Sequence, residues 1–224
     1  IADAKINDSR GLASINIDGG GNWSTSLVLP VTATTTTAGS YELKVTDNYG
    51  REGVIKTTIP ARSLKISPEE GRVGTPVSIT GTGYPVNNTK SGATNTTVNV
   101  EYRAVGVVGA TTISVQADAS GNIQGTLNVP TNTSIPSTNT VQATYATEAP
   151  ATNVVTTVTH RVPRAEVKLD KSGGVQGTRV NLSGGGFRAF VNVERIRFGE
   201  LNVTPSPTPS TGTNGDFKAD FIVP

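Results

Sequence analysis

Short apolar runs that alternate with polar residues recur along the whole chain, and turn-forming residues separate them. In the run 75–81, for example, Val77 and Ile79 alternate with Ser78 and Thr80. A period of two puts the two sets of side chains on opposite faces of a β-strand. No apolar spacing of 3.6 residues is sustained, and β-branched residues dominate. The pattern therefore predicts an all-β chain.

The predicted strands are bounded by glycine, proline, asparagine and aspartate, which are the residues favoured in turns. The run 40–46 pairs with 53–59 as a predicted hairpin, and 140–146 pairs with 154–161 in the same way. The segment 205–210, PSPTPS, is too rich in proline to form a central strand. The remaining predicted strands are 23–29, 64–67, 75–81, 97–105, 111–117 and 123–129.

One stretch of the chain occurs twice. Residues 64–84, LKISPEEGRVGTPVSITGTGY, return 103 positions later at 167–187 as VKLDKSGGVQGTRVNLSGGGF, with no insertion or deletion. Internal repeats define the units of a fold, so this one sets the expected domain boundaries. The matched pairs include Gly71 with Gly174, Gly74 with Gly177, Val77 with Val180, Ile79 with Leu182, Gly81 with Gly184, Gly83 with Gly186 and Tyr84 with Phe187.

A second recurring signal is a turn, a strand and a terminating proline. It begins at Asp18 and Asp118 with the pattern Asp-x-x-Gly-Asn, and it ends at Pro30, Pro130 and Pro224. These prolines are 100 and 94 residues apart. Short strands in a period near 100 residues are typical of Ig-like β-sandwiches joined in tandem.

The two signals divide the chain into three parts. We predict the C-terminal part of an Ig-like repeat at 1–62, a complete repeat at 63–163 and the N-terminal part of a third at 164–224. These are called the first, second and third repeats below. The simplest expectation is that the chain is a window of a longer repeat protein.

The repeated motif, I-x-P-x-x-G-x-x-G-T-x-V-x-I-x-G-x-G-Y/F followed by D-x-x-G-N, resembles the IPT/TIG-like Ig domains. It is most similar to the tandem Ig-like repeats of archaeal and bacterial surface-layer and giant cell-surface proteins. The third repeat departs from the pattern at Lys171, where the second has Pro68, and at Gly212, where it has Asp118. The resemblance implies tandem β-sandwich domains in an extracellular, surface-exposed structural protein.

Composition narrows the range of partners. The formal net charge is +2 and basic residues are scattered, which does not favour binding to nucleic acid. No apolar run approaches the ~20 residues that a membrane-spanning helix needs. The chain contains no cysteine, so disulfides and cysteine-based metal or thiol chemistry are excluded. We expect self-association between neighbouring copies, or contact with other surface proteins.

Residues able to support catalysis are scarce, and we predict that the chain is not an enzyme. The one histidine, His160, lies on a predicted strand beside a linker and is expected to be an ordinary edge or linker residue. Glu69 and Glu70 are adjacent in a turn and are expected to be solvated. The glycines of 81–83 and 184–186 are followed by neither a helix nor a Walker lysine, so a β-corner is predicted there.

Two aspartates are the candidates for binding a metal. Asp18 and Asp118 begin Asp-x-x-Gly-Asn turns, and calcium prefers oxygen ligands. The alternative is a plain turn, because aspartate and asparagine favour turns for backbone reasons alone. No other cofactor is predicted. Trp23 aligns with Ile123 and Phe217, so a core position is expected rather than a platform for carbohydrate.

Asparagine sequons give a further set of candidate sites, for N-glycosylation. The predicted loops contain Asn87, Asn95 and Asn132, and strand alternation turns Asn181 outward, beside an inward Leu182. The full set of candidates is Asn7, Asn22, Asn87, Asn95, Asn132, Asn181 and Asn202.

The sequence therefore predicts a structural cell-surface module, part of a surface layer or an extracellular stalk. Two alternatives remain open. One is a filament subunit, in which one copy completes the partial repeat of the next by strand addition. The other is an adhesin or carbohydrate-binding module. The predicted loops at 86–95, 130–137 and 204–213 contain no aromatic residue, which argues against this alternative.

Overall fold

The computed structural model describes residues 18–24, 37–46, 49–86, 97–146 and 153–224. This part of the chain is all-β, with strands in five sheets and no helix. The prediction of an all-β chain is confirmed. The strands are β1 Gly39–Thr46, β2 Glu52–Ile59, β3 Ser63–Ser67, β4 Pro76–Thr82, β5 Thr97–Arg103, β6 Thr111–Gln116, β7 Ile123–Asn128, β8 Ser137–Ala146, β9 Asn153–Val162, β10 Glu166–Leu169, β11 Arg179–Gly185, β12 Arg197–Phe198, β13 Leu201–Asn202 and β14 Phe217–Ile222.

The second repeat is built from two antiparallel sheets. One has the strand order β3-β4-β7, and the other has the order β6-β5-β8-β9. Buried side chains from both sheets belong to one apolar cluster, an arrangement compatible with a β-sandwich. This core includes Leu64, Ile66, Val77, Ile79, Ile123 and Leu127 from the first sheet, and Val98, Val100, Tyr102, Val141, Ala143 and Tyr145 from the second.

Strand β4 shows why the sequence folds in this way. Its burial alternates strictly, with Val77 and Ile79 inward and Ser78 and Thr80 outward, as the period-two pattern predicts. Gly81 lies next on the inward face, and a Cβ there would stand 2.7 Å from the Tyr84 ring. The glycine therefore makes room for the tyrosine to fold back onto the core.

The first repeat contributes a two-stranded antiparallel sheet, β1 paired with β2. Tyr41 pairs with Thr57 and Leu43 with Ile55, which puts these four residues on the same face of the hairpin. The predicted hairpin 40–46 with 53–59 is confirmed. Most of the other predicted elements before residue 37 lie outside the described residues.

The third repeat forms a three-stranded sheet in the order β10-β11-β14 and a small hairpin, β12-β13. The sheet matches β3-β4-β7 in strand order and follows the repeat in the sequence. The hairpin β12-β13 was not predicted, because two-residue strands are too short to show a period. A separate small core contains Leu182, Ile196 and Phe217.

Most predicted strand boundaries lie within two residues of the observed ones. Strand β8 is the exception, since it begins at Ser137 rather than at residue 140. The extra residues pair with the end of β9, where Asn139 lies opposite His160. A polar run of serine, threonine and asparagine resembles a loop in sequence, and only the pairing with β9 reveals it as strand.

Candidate functional site

The junction between the second and third repeats carries the most distinctive side-chain chemistry in the described residues. Arg72 lies in the turn between β3 and β4, and its guanidinium reaches across to the third repeat. Its Nη1 atom lies 3.3 Å from Asp216 Oδ1, and its Nη2 atom lies 3.7 Å from Glu166 Oε2. The turn of one repeat is therefore ion-paired to the end of the next.

Glycines shape the surface that receives Arg72. A Cβ on Gly185 would stand 2.2 Å from Arg72 Nη1, and one on Gly186 would stand 3.3 Å from its Nε. Gly74, with φ +78°, packs in the same way against Asn214, whose Oδ1 would lie 2.5 Å from an added Cβ. Because real Cβ atoms do not approach so closely, a side chain at Gly185 would displace the guanidinium.

Apolar packing accompanies the ion pairs. Ala189 belongs to the third repeat in sequence, yet it is buried in the core cluster of the second. Val73, next to Arg72, is fully buried in the same cluster. The contact between the repeats is thus a continuation of the core as well as a charged bridge.

Sequence reasoning did not identify Arg72, Glu166 and Asp216 as a site. In the aligned repeats Arg72 matches Val175, but of residues 68–74 only Gly71 and Gly74 are retained, so the alignment does not single out Arg72. Its partners lie 94 and 144 positions further along the chain, and only the structure brings them together.

The structure places the two calcium candidates, Asp18 and Asp118, in matching turns. Asp118 Oδ1 accepts hydrogen bonds from the backbone N–H groups of Ser120 and Asn122, at 2.8 and 2.9 Å. Asp18 Oδ1 accepts two from Gly20 and Asn22, both at 2.8 Å. These donors, first the backbone N–H of the asparagine, hold the pKa of each carboxyl below its usual value.

The third repeat forms the same turn with glycine, Gly212, in place of the first aspartate. Gly212 donates to the Asp216 carbonyl at 2.9 Å, and Gly215 donates to the Gly212 carbonyl at 3.0 Å. The corresponding backbone bonds of Asp118 and Gly121 are 2.9 and 3.0 Å. The backbone alone therefore sustains this turn. Within the described ranges, no group of three or more histidine, aspartate or glutamate side chains is placed to hold a metal ion. Calcium binding stays a prediction.

His160 lies on β9, at the edge of the four-stranded sheet, yet its side chain is fully buried in the core. The expected edge position is confirmed, but the side chain is buried because the alternation of β9 turns even-numbered residues inward. Its Nδ1 atom and the Tyr102 hydroxyl share a hydrogen bond at 2.8 Å. Nε2 has no partner. Burial lowers the pKa of His160 and raises that of Tyr102.

The remaining acidic pair lies at the surface, as expected of a turn. Glu70 is exposed and forms an ion pair with Arg161 at 3.2 Å, while the Glu69 carbonyl accepts a bond from the Arg161 N–H. Trp23 is 44% exposed, whereas its counterparts Ile123 and Phe217 are buried. The expected core position of Trp23 is wrong. Ile123 lies on β7, inside the sheet β3-β4-β7, and its side chain is buried in the core shared with the opposite sheet.

Four of the sequon asparagines lie in described positions, and all four are exposed. Asn132 lies in the loop after β7. Asn181, on β11, points outward as alternation predicts, and its Nδ2 donates to Asp170 Oδ2 at 2.7 Å. Asn202 Oδ1 accepts from the Thr204 hydroxyl of its own sequon at 2.7 Å. Asn22 donates to Asp18. The candidates Asn7, Asn87 and Asn95 lie outside the described residues.

Comparison with protein-family models and with curated proteins finds no match to this chain. In the described ranges, no helix has the length and apolar character needed to cross a membrane.

Proposed function

We propose that this chain is a structural module of the cell surface, built from Ig-like repeats and forming part of a surface layer or an extracellular stalk. The division of strands in the second repeat supports the Ig-like assignment. Its first, second and fifth strands form one sheet, and its third, fourth, sixth and seventh form the other. Ig-like sandwiches divide their strands between two sheets in a similar way.

The observation that carries this proposal is the packed junction. Arg72 is paired with Asp216 and Glu166, and Ala189 is buried in the neighbouring core. Contacts of this kind restrict bending between consecutive repeats beyond what the linker 163–165 imposes. A rod of such repeats transmits force and holds spacing, which is the mechanical task of a stalk or lattice component.

We also propose that the chain has no catalytic activity. His160 is enclosed in the core, and the described acidic side chains lie singly or in surface ion pairs. A general base must be able to reach a substrate. The buried position of His160 supports a role in packing rather than in chemistry.

Immunogold electron microscopy on intact cells of the source organism tests the location. We expect antibodies raised against the purified chain to label the outside of unpermeabilised cells. Antibodies against a cytoplasmic protein serve as the control and should label permeabilised cells only. Labelling by the chain-specific antibodies that also requires permeabilisation would refute the cell-surface proposal.

Two uncovered apolar faces favour a second candidate function, a filament subunit that assembles by strand completion. Val167 and Leu169 on β10 are 58% and 51% exposed, whereas their counterparts Leu64 and Ile66 are buried. In the second repeat, the hairpin β8-β9 lies over this position, with Val158 close to Ile66. The hairpin β1-β2 presents a comparable face, and a second copy could place it over β10.

The absence of cysteine allows a direct test of strand completion. Thr57 occupies the hairpin position that corresponds to Val158, so Thr57→Cys on one chain should form a disulfide with Leu169→Cys on another when the two variants are mixed. Lys56→Cys faces the opposite side of β2 and is the matched control. A crosslink specific to the Thr57 variant supports a filament. Equal crosslinking with both variants, or none, rejects it.

Exposed aromatic residues, among them Trp23 and Phe190, give the adhesin or carbohydrate-binding alternative specific support. Phe190 is 68% exposed and adopts φ +56°, a conformation that a residue with a side chain rarely holds. Aromatic rings at exposed positions can stack on sugars. Screening on a glycan array, with and without calcium, compares the native chain with Phe190→Ala. Binding that this substitution abolishes would support the alternative.

A further inference from the structure

We propose that the turn position held by Arg72 is a pairing determinant, which specifies the kind of repeat that can dock against it. This inference rests on the proposed structural function and adds a rule for which repeats become neighbours. The end of a repeat that faces this turn is called its receiving end. In the third repeat it is formed by Glu166, Gly185 and Asp216. Arginine in the turn requires a receiving end with two acidic residues and a glycine, as found there.

The second repeat shows the opposite set of residues at its own receiving end. Ser63 stands where the third repeat has Glu166, Thr82 where it has Gly185, and Asn122 where it has Asp216. This end therefore offers no acidic partner at the three positions. It also carries a β-branched side chain at the place where a Cβ would stand 2.2 Å from an arginine Nη1. An arginine turn is excluded there by shape and by the missing charge.

The corresponding turn of the third repeat has an uncharged residue in place of the arginine. Val175 takes the position of Arg72 and is 80% exposed, and Gly177 takes the position of Gly74 with open space around it. Gln176 replaces the buried Val73 and is exposed. This turn therefore corresponds to the turn that contains Arg72, but it is exposed. Its partner is the receiving end of another repeat of this type, with uncharged residues like those of Ser63, Thr82 and Asn122.

Charge and shape give this rule its specificity. A valine turn facing Glu166 and Asp216 would leave two carboxylates close together without a cation, whereas an arginine turn facing Thr82 would meet a side chain in its path. Each mismatch removes a favourable contact and adds an unfavourable one, which is how neighbouring modules reject the wrong partner. The individual ion pairs are partly exposed, so discrimination arises from the combination.

A swap of residues within this chain tests the rule. Three variants are needed: Arg72→Val alone, the triple change Glu166→Ser, Gly185→Thr and Asp216→Asn alone, and both sets combined. Nitroxide labels on Thr112→Cys and Ser172→Cys, in the second and third repeats, report the distance between them by pulsed electron paramagnetic resonance. Circular dichroism confirms that each variant is folded.

We expect one narrow distance peak for the native chain. Either partial swap should raise the fraction of molecules outside this peak about two- to fivefold, the change that a surface ion pair supports. The combined swap should restore the narrow peak. Arg179→Val is the matched control, because it removes an ion pair with Asp220 inside the third repeat, at 2.7 Å, and leaves the junction intact.

The outcomes separate this rule from the proposed function. An unchanged peak in Arg72→Val, or a combined swap that fails to restore the peak, overturns the pairing rule while a rigid stack of repeats still stands. A broad distribution in the native chain itself contradicts the rigid stack on which both rest. Broadening by Arg179→Val to the same extent would show that the effect is not specific to the junction.

Discussion

His160 is the single residue whose chemistry depends most on its place in the fold. It is fully buried beside Tyr102, and Nε2 has no hydrogen-bond partner. Burial lowers its pKa from the ordinary value of 6.5, an effect that the nearby Glu70 opposes. The unfolded chain therefore binds a proton in weakly acidic solution that the folded chain does not.

This difference predicts a pH-dependent stability. The contribution of neutral His160 is fully present above about pH 6.5 and is lost as the pH falls toward the lowered pKa of the folded state, at up to about 1.4 kcal/mol per pH unit. Urea denaturation between pH 7.5 and 5 measures it. His160→Gln should flatten the slope, while Tyr102→Phe should retain one. An equal slope in native chain and His160→Gln would contradict the assignment.

Other titrating groups act at lower pH. The pKa values of Asp118 and Asp170 lie below the ordinary 3.8, each held down first by a backbone N–H of an asparagine. The stability that these carboxylates contribute is present above this value and lost only in more acidic solution. The change in stability between pH 5 and 7.5 therefore reports mainly on the protonation of His160.

At the scale of elements, equivalent strands differ in what covers them. Ile66 on β3 is buried at 8% exposure, whereas Leu169 on β10, its counterpart 103 residues later, is half exposed. The hairpin β8-β9 lies near β3 and helps to enclose Ile66. The same sequence position therefore has a different energetic role in the two repeats.

We expect Ile66→Ala to lower the free energy of unfolding by about 2–4 kcal/mol, because it leaves a cavity in a closed core. Leu169→Ala should cost about 0.5 kcal/mol or less, as is usual at exposed positions. Urea denaturation of the two variants makes the comparison. A loss at Leu169 as large as that at Ile66 would mean that β10 is covered in solution, as strand completion requires.

The recurring turn gives a second prediction at this scale. Asp118→Gly should lower the stability only slightly, because Gly212 supports the same backbone bonds in the third repeat. Gly121→Ala should cost more, since Gly121 has φ +78° and an added Cβ would stand 2.8 Å from the Tyr84 carbonyl oxygen. Thermal unfolding with calcium and with chelator extends the test. A calcium-dependent rise in Tm that Asp118→Gly abolishes would establish a calcium site.

At the scale of the whole molecule, the described residues form two separate cores. The larger contains residues of both sheets of the second repeat, and the smaller centres on Leu182, Ile196 and Phe217. Apolar burial is the main favourable term in folding, so the smaller core confers less stability. The two repeats should therefore unfold in distinct steps.

Differential scanning calorimetry is expected to show two transitions, with the third repeat unfolding first. Leu182→Ala should lower the first transition temperature, and Ile79→Ala should lower the second, each by several degrees. Because the junction connects the two cores, Arg72→Val should also lower the first transition temperature slightly. A single transition shifted equally by both core substitutions would show that the repeats unfold as one unit.

The sequence by itself determined the strands and their repeat. Alternation in Val77 and Ile79 reflects a local property of the extended backbone, and the turn residues between strands act through their own φ preferences. For this reason the all-β class, most strand boundaries, the corner at 81–83 and the hairpin β1-β2 could be predicted from short stretches alone.

Only the tertiary structure decided where the side chains of matched positions end up. Trp23 is exposed although its counterparts are buried, and His160 is enclosed although it lies on an edge strand. Arg72 meets Glu166 and Asp216 because the second and third repeats are in contact. Burial and long-range pairing depend on which sheet lies opposite, and no local pattern carries that information.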